Sequence, residues 1–85
     1  MKEFSYVLTD ENGIHARPAG MLVKEAAKFV SKITVQKGEK SADGKRLFAL
    51  MGLGAKKGDT LNFSIEGDDE ADAQAVLESF LKANL

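Results

Sequence analysis

The chain predicts an α+β fold in which one antiparallel sheet is covered by helices on a single face, and three observations carry that reading. Segments that alternate apolar and polar residues are interleaved with amphipathic segments of period 3.6, in the order β-α-β-β-α-β-α. The strand segments are apolar on one side only, the pattern of a sheet whose second face meets water. The chain of 85 residues forms one domain, 1–85. A domain this small buries only about 60% of the surface its unfolded chain exposes, which leaves little room for an enclosed active-site cavity.

Taken in order, residues 2 to 8 place Phe4, Tyr6 and Leu8 at alternate positions, as in a strand with one buried face. Asp10 to Gly13 supplies a turn. From Pro18 onward Ala19, Leu22, Val23, Ala26, Phe29 and Val30 share one helical face, with Lys24, Glu25 and Lys28 opposite. Ile33 and Val35 alternate with Thr34 and Gln36, and the turn Lys37-Gly38-Glu39 returns the chain into a short strand near Lys40 to Ala42. Asp43-Gly44 can open a short helix from Lys45 to about Met51, which Gly52 and Gly54 can close through backbone angles that other residues avoid. Leu61, Phe63 and Ile65 form the clearest strand, and Ala73, Val76, Leu77, Phe80 and Leu81 the clearest helix. Asp68 and Asp69 are placed to cap that last helix, and the acids through Asp72 suit its positive end.

Composition removes several chemistries. Without cysteine there are no disulfides, thiolate metal sites or thiol nucleophiles. The single histidine has no second histidine or thiol beside it to complete a transition-metal site, so no metal and no cofactor are expected. No apolar run approaches a membrane span and no signal-peptide core opens the chain, so a cytoplasmic protein without membrane insertion is expected. The sequon Asn62-Phe63-Ser64 falls within a predicted strand and is read as coincidence. Residues 16 to 57 hold ten Lys and Arg against three acids, whereas the remainder holds two against ten. That asymmetry fits a surface that steers an acidic partner or an anionic group, and equally two solvated faces of unlike sign.

The chemistry concentrates on His15, within Asn12-Gly13-Ile14-His15-Ala16-Arg17-Pro18-Ala19-Gly20, at the start of the first helix. The first amides of a helix have no intrahelical partner, and with the macrodipole they favour anions such as phosphate. Pro18 is tolerated there because its missing N–H costs no helical bond, and the residue before proline is pushed from helical geometry, which predicts a non-helical Arg17 with its side chain free to swing towards His15. A neutral imidazole is a competent nucleophile, and the Arg17 guanidinium offers a planar donor fork for phosphate oxygens. No serine lies in a nucleophile-elbow context, and Gly52 to Gly58 has the wrong spacing for a nucleotide fingerprint. In the short helix Leu47, Phe48, Leu50, Met51 and Leu53 are too many apolar groups for one narrow stripe. Leu50 and Leu53 are the core candidates, while Leu47, Phe48 and Met51, flanked by Lys45 and Arg46, are candidates for an exposed protein-docking patch. The alternative is that all five pack beneath the sheet.

Over its whole length the chain resembles the HPr family, the histidine-containing phosphocarriers of the bacterial phosphoenolpyruvate-dependent sugar phosphotransferase system. The resemblance is carried by Gly13-Ile14-His15-Ala16-Arg17-Pro18-Ala19 and by Lys45 to Gly54. It implies an open-faced β-sandwich with strand order 1-4-2-3 and three helices on one side. It further implies phosphorylation of His15 on Nδ1 by phospho-enzyme I and delivery to a histidine of an enzyme IIA domain, a carrier's role rather than an enzyme's. Arg17 becomes the site arginine, the amides of Ala16 and Arg17 meet the phosphate, and Gly20, Leu47, Phe48 and Met51 fall on the docking surface. Many Gram-positive relatives carry a regulatory serine where this chain has Arg46, so that branch of regulation is not expected, and Gly20 replaces the alanine or hydroxyl residue common among relatives. A monomer suits a carrier that shows one surface to donor and acceptor in turn. Two other classes stay open: a regulatory relative without the transfer chemistry, and a nucleic-acid-binding module. The latter is disfavoured because the aromatic residues fall mainly on predicted core faces.

Overall fold

A computed structural model describes all of residues 1–85. The elements are β1 (Lys2–Val7), α1 (Ala16–Ala26), β2 (Lys32–Lys37), β3 (Lys40–Asp43), α2 (Leu47–Met51), β4 (Thr60–Glu66) and α3 (Glu70–Asn84). The four strands form one antiparallel sheet in the order β1-β4-β2-β3. Its register explains the alternation in the sequence. Phe4 lies opposite Phe63, Tyr6 opposite Leu61, Ile33 opposite Ile65, and Val35 opposite both Phe63 and Ala42, so every apolar set projects to one face. Ser5, Asn62, Gln36 and Ser41 occupy the other, where the Ser5 hydroxyl donates to Asn62 Oδ1 at 2.6 Å. β4 has neighbours on both sides, and Leu61, Phe63 and Ile65 are all fully buried on it.

The helices close the apolar face. Ala19, Leu22 and Ala26 of α1, Leu50 of α2, and Ala73, Leu77, Phe80 and Leu81 of α3 join the strand residues in a single core. Each buried large aliphatic side chain there contributes roughly 1.5–3 kcal/mol of transfer free energy. The rings of Phe4 and Phe63 stack at 4.8 Å across the β1/β4 pair. In the β2/β3 hairpin Gly38, with φ of 58°, is the first of two loop residues and supplies the positive φ that such tight turns need there.

Several local expectations are corrected. The periodicity predicts α1 to run through Val30, but it ends at Ala26, and Val30 is 79% exposed. The amides of Lys28 and Phe29 close a tighter turn onto the carbonyls of Glu25 and Ala26, and those of Val30 and Ser31 donate to the Asp69 carboxylate at 2.9 and 3.0 Å. Asp69 therefore makes no side-chain cap to α3; its second task, a hydrogen bond with the Ser31 hydroxyl, binds the end of the α1 segment to the start of α3. That hydroxyl, joined by the two amides, holds the Asp69 carboxyl below its ordinary range despite partial desolvation. The N–H of Gly67 instead finds Glu70 Oε1 at 3.2 Å. Val76, assigned to the buried stripe of α3, is exposed. α2 begins at Leu47 rather than Lys45, because Asp43 Oδ1 captures the Lys45 amide at 2.9 Å in a local turn. Gly54 takes a positive φ of 64° after this helix, whereas Gly52 keeps right-handed geometry.

Candidate functional site

The loop before α1 is fastened from two directions. The amides of Thr9 and Asp10 donate to the Leu85 carbonyl at 2.6 and 2.9 Å, which ties the start of the loop to the end of α3. The Gly13 amide closes a turn onto the Asp10 carbonyl at 3.0 Å, and the Ile14 amide reaches the Ala55 carbonyl at 3.0 Å. Gly13 sits at φ of 60°, where a Cβ would lie 2.2 Å from the Ala55 carbonyl oxygen. Only glycine fits both that angle and that approach. Ile14 enters the core, and the next residue emerges.

That next residue, His15, is the N-cap of α1, with extended backbone at φ −114° and ψ −175° and no side-chain capping bond. Its carbonyl accepts the Ala19 amide at 3.0 Å, the first hydrogen bond of the helix, which leaves the amides of Ala16 and Arg17 without intrahelical acceptors. The imidazole is 45% exposed, and its Nε2 lies 3.9 Å from Asp10 Oδ2. The ring shares an open depression of about 250 Å³ with Asp10, Arg17, Pro18, Met21 and Asn84. Sequence reasoning therefore places His15 and Arg17 together, but it misassigns the Arg17 backbone, which is helical. Pro18 stands third in α1, where no amide is needed for an intrahelical bond, so the helix forms through it and the preference of a residue before proline is overridden.

The second patch lies on α2, which packs against α1. Phe48 is 82% exposed. Leu47 and Met51 are half-buried against the core rather than fully exposed, because both flank Leu50, which is completely enclosed. Leu53 is buried as expected. Gly20 lies half-buried one turn into α1, and a methyl group there would meet nothing within 4 Å, so packing does not demand glycine. Arg46 is the N-cap residue of α2, and its Nε lies 3.8 Å from Asp43 Oδ2.

Three residues of the depression escaped sequence reasoning. Met21 is an exposed apolar residue off the buried stripe of α1, which is a signal in itself. Asp10 reads as turn chemistry alone, and Asn84 arrives from the far end of the chain, hydrogen-bonded through Nδ2 to the Phe80 carbonyl at 3.0 Å. No helix is long and apolar enough to cross a membrane.

Known proteins share this fold. Residues 2–83 match the family model described as PTS HPr component phosphorylation site. The phosphocarrier protein HPr of Mycoplasma capricolum subsp. capricolum is 37% identical over 86 residues, covering all of this chain and 97% of its own. Among solved structures, an HPr from Thermoanaerobacter tengcongensis superimposes with a TM-score of 0.93 at 37% identity, over 98% of this chain and 93% of that one. The Bacillus subtilis catabolite-repression protein Crh, described as a domain-swapped dimer, gives a TM-score of 0.78 at 28% identity, over 94% and 92% of the two chains.

Proposed function

Because the chain belongs to the HPr phosphocarrier family of the phosphotransferase system, we propose that it accepts a phosphoryl group from phospho-enzyme I on Nδ1 of His15 and passes it to a histidine of an enzyme IIA domain. The observation that carries this reading is the solvent-open imidazole standing as N-cap directly before two amides that have no helical acceptor. Those amides, on Ala16 and Arg17, receive phosphoryl oxygens, and the partial positive charge of the helix end stabilises the anion once it has arrived. The Arg17 guanidinium, in the same depression, supplies the counter-charge while the group is in transit. Both partners dock on the surface made by Gly20, Leu47, Phe48 and Met51, where the half-buried Leu47 and Met51 support a projecting Phe48.

In this reading the protein is a carrier and not an enzyme, since the catalytic groups are completed by its partners. It acts as a cytoplasmic monomer, because one exposed surface serves donor and acceptor alternately. With Arg46 at the N-cap of α2, no seryl phosphate forms at that position.

Incubation with phosphoenolpyruvate and enzyme I tests the proposal. Intact-protein mass analysis should find one added phosphate, labile in acid and stable in base, and phosphorus NMR should place it on an imidazole nitrogen. His15→Ala should take up none. Phosphate on a hydroxyl residue with the ring untouched overturns the assignment.

A further inference from the structure

We propose that Asp10 is a positioning residue for His15, a carboxylate set opposite the nucleophilic nitrogen so that the ring can accept and release a phosphoryl group without moving a proton. This rests on the carrier function above. Asp10 Oδ2 lies 3.9 Å from His15 Nε2, beyond a direct hydrogen bond but within the range of a screened charge interaction. The Asp10 side chain makes no hydrogen bond elsewhere; its turn is held through backbone atoms, with its N–H on the Leu85 carbonyl and its carbonyl on the Gly13 amide. The carboxylate is therefore free of any structural duty. The loop that carries it is nevertheless fixed, since Gly13 and Ile14 are locked against Ala55. Nε2 of the imidazole faces an anion, which leaves Nδ1, bonded next to the ring's attachment point, as the nucleophilic nitrogen.

A carboxylate beside Nε2 favours the tautomer that keeps its proton there and leaves the lone pair on Nδ1. That lone pair attacks phosphorus, the bond from phosphorus to the donor breaks, and its electron pair leaves with the donor. The ring then carries one positive charge with its proton still on Nε2, facing Asp10. On delivery the acceptor's lone pair attacks phosphorus, the bond to Nδ1 breaks, and its pair returns to Nδ1, restoring the neutral ring. The phosphoryl group is attached to Nδ1 rather than to the nitrogen that faces the carboxylate, so attraction to the cationic ring acts at shorter range than repulsion of the phosphate. Asp10 and Arg17 are the charged side chains lining the depression, and they divide the work: one faces the ring, the other the phosphate.

The test compares wild type with Asp10→Ala, Asp10→Asn and Asp10→Glu, each checked for an unchanged amide spectrum. In nitrogen-15 NMR of the unphosphorylated proteins, removal of the charge should lower the ratio of the Nε2–H to the Nδ1–H tautomer about twofold. In the phosphorylated proteins at pH 7 the ratio of Nε2-protonated to unprotonated ring should fall about fivefold in the alanine and asparagine variants, with a similar fall in transfer rate, the scale set by one screened charge pair at this separation. Asp10→Glu, which keeps the charge, should recover most of both. Unchanged tautomer ratio, protonation and rate in the alanine and asparagine variants would overturn the role of Asp10. Absence of phosphohistidine in the wild type would instead refute the carrier function, and the tautomer ratio alone would then decide for or against the Asp10 contact.

Discussion

Gly13→Ala tests whether the fold holds the histidine loop as described. The substitution introduces two penalties that can be separated. An L-residue at φ of 60° costs roughly 1–2 kcal/mol. The new methyl would also stand 2.2 Å from the Ala55 carbonyl oxygen and 2.6 Å from the Lys56 Cα, both backbone atoms that cannot rotate away. Ordinary contact requires the loop to retreat by about 1 Å, which breaks the Ile14 amide bond to Ala55, worth about 1 kcal/mol, and begins to lift Ile14 from the core. Together these come to ~3–4 kcal/mol, a large share of the ~5–15 kcal/mol that holds a domain together.

Gly38→Ala is the control, because its φ of 58° is nearly the same but its Cβ would meet nothing within 4 Å. It should pay only the conformational cost of ~1–2 kcal/mol. For a domain of this size each kcal/mol moves the melting temperature by about 4–8 °C. Thermal and urea unfolding followed by circular dichroism should therefore show Gly13→Ala losing at least twice as much as Gly38→Ala. Equal losses would refute the steric argument, and a Gly13→Ala protein that unfolds like wild type would refute the loop geometry altogether.

Arg17→Ala should slow phosphoryl transfer from enzyme I by tenfold or more while shifting the urea midpoint little, since the side chain is exposed and supplies charge rather than packing; stopped-flow transfer and unfolding curves measure the two effects separately. Phe48→Ala should leave thermal stability nearly unchanged, because its ring is already in water, yet weaken enzyme I and IIA binding about tenfold or more in calorimetry, and equal affinity would remove Phe48 from the docking surface. The Asp69 carboxyl is held below its ordinary value when folded, so its contribution is fully present above the unfolded value near pH 4 and is lost as the pH falls through the lower folded one. Asp69→Asn should accordingly be less stable than wild type at neutral pH, with the gap closing in acid; a gap that stays constant from pH 7 to 2 would contradict this.

The departures from the expected elements arise both within a few residues and across the fold. Elements whose stability comes from their own periodicity were legible: β4, α3 and the β2/β3 hairpin each stand where alternation or a 3.6 repeat puts them. His15 and Arg17 were legible for a related reason, since neighbours along the chain at a helix start remain neighbours in space. The strand order was not readable from any strand, and it came from the family resemblance. Two departures are local, since Asp43 delays α2 by taking the Lys45 amide and Pro18 sits far enough into α1 to leave Arg17 helical. The end of α1 and the cap of α3 are governed by distant residues. Phe29 and Val30 continue the apolar repeat of α1, but the helix stops because an aspartate 39 positions away takes the Val30 amide. That same commitment deprives α3 of its expected cap.

Asp10 shows how such a distant constraint can reach function. Its identity is compatible with a turn, and the local pattern says no more than that. Its orientation depends on the Leu85 carbonyl holding its amide and on Ala55 holding the residues that follow, so the far end of the chain and the start of β4's approach both bear on where one carboxylate stands. The histidine needs only its helix to meet an anion. To exchange that anion in both directions it also needs its second nitrogen kept in a definite state, and in the role proposed for Asp10 tertiary structure meets this second requirement. On that proposal reversibility depends on the ring nitrogen that does not carry the phosphate, where a single side chain without structural hydrogen bonds can be changed and the consequence measured.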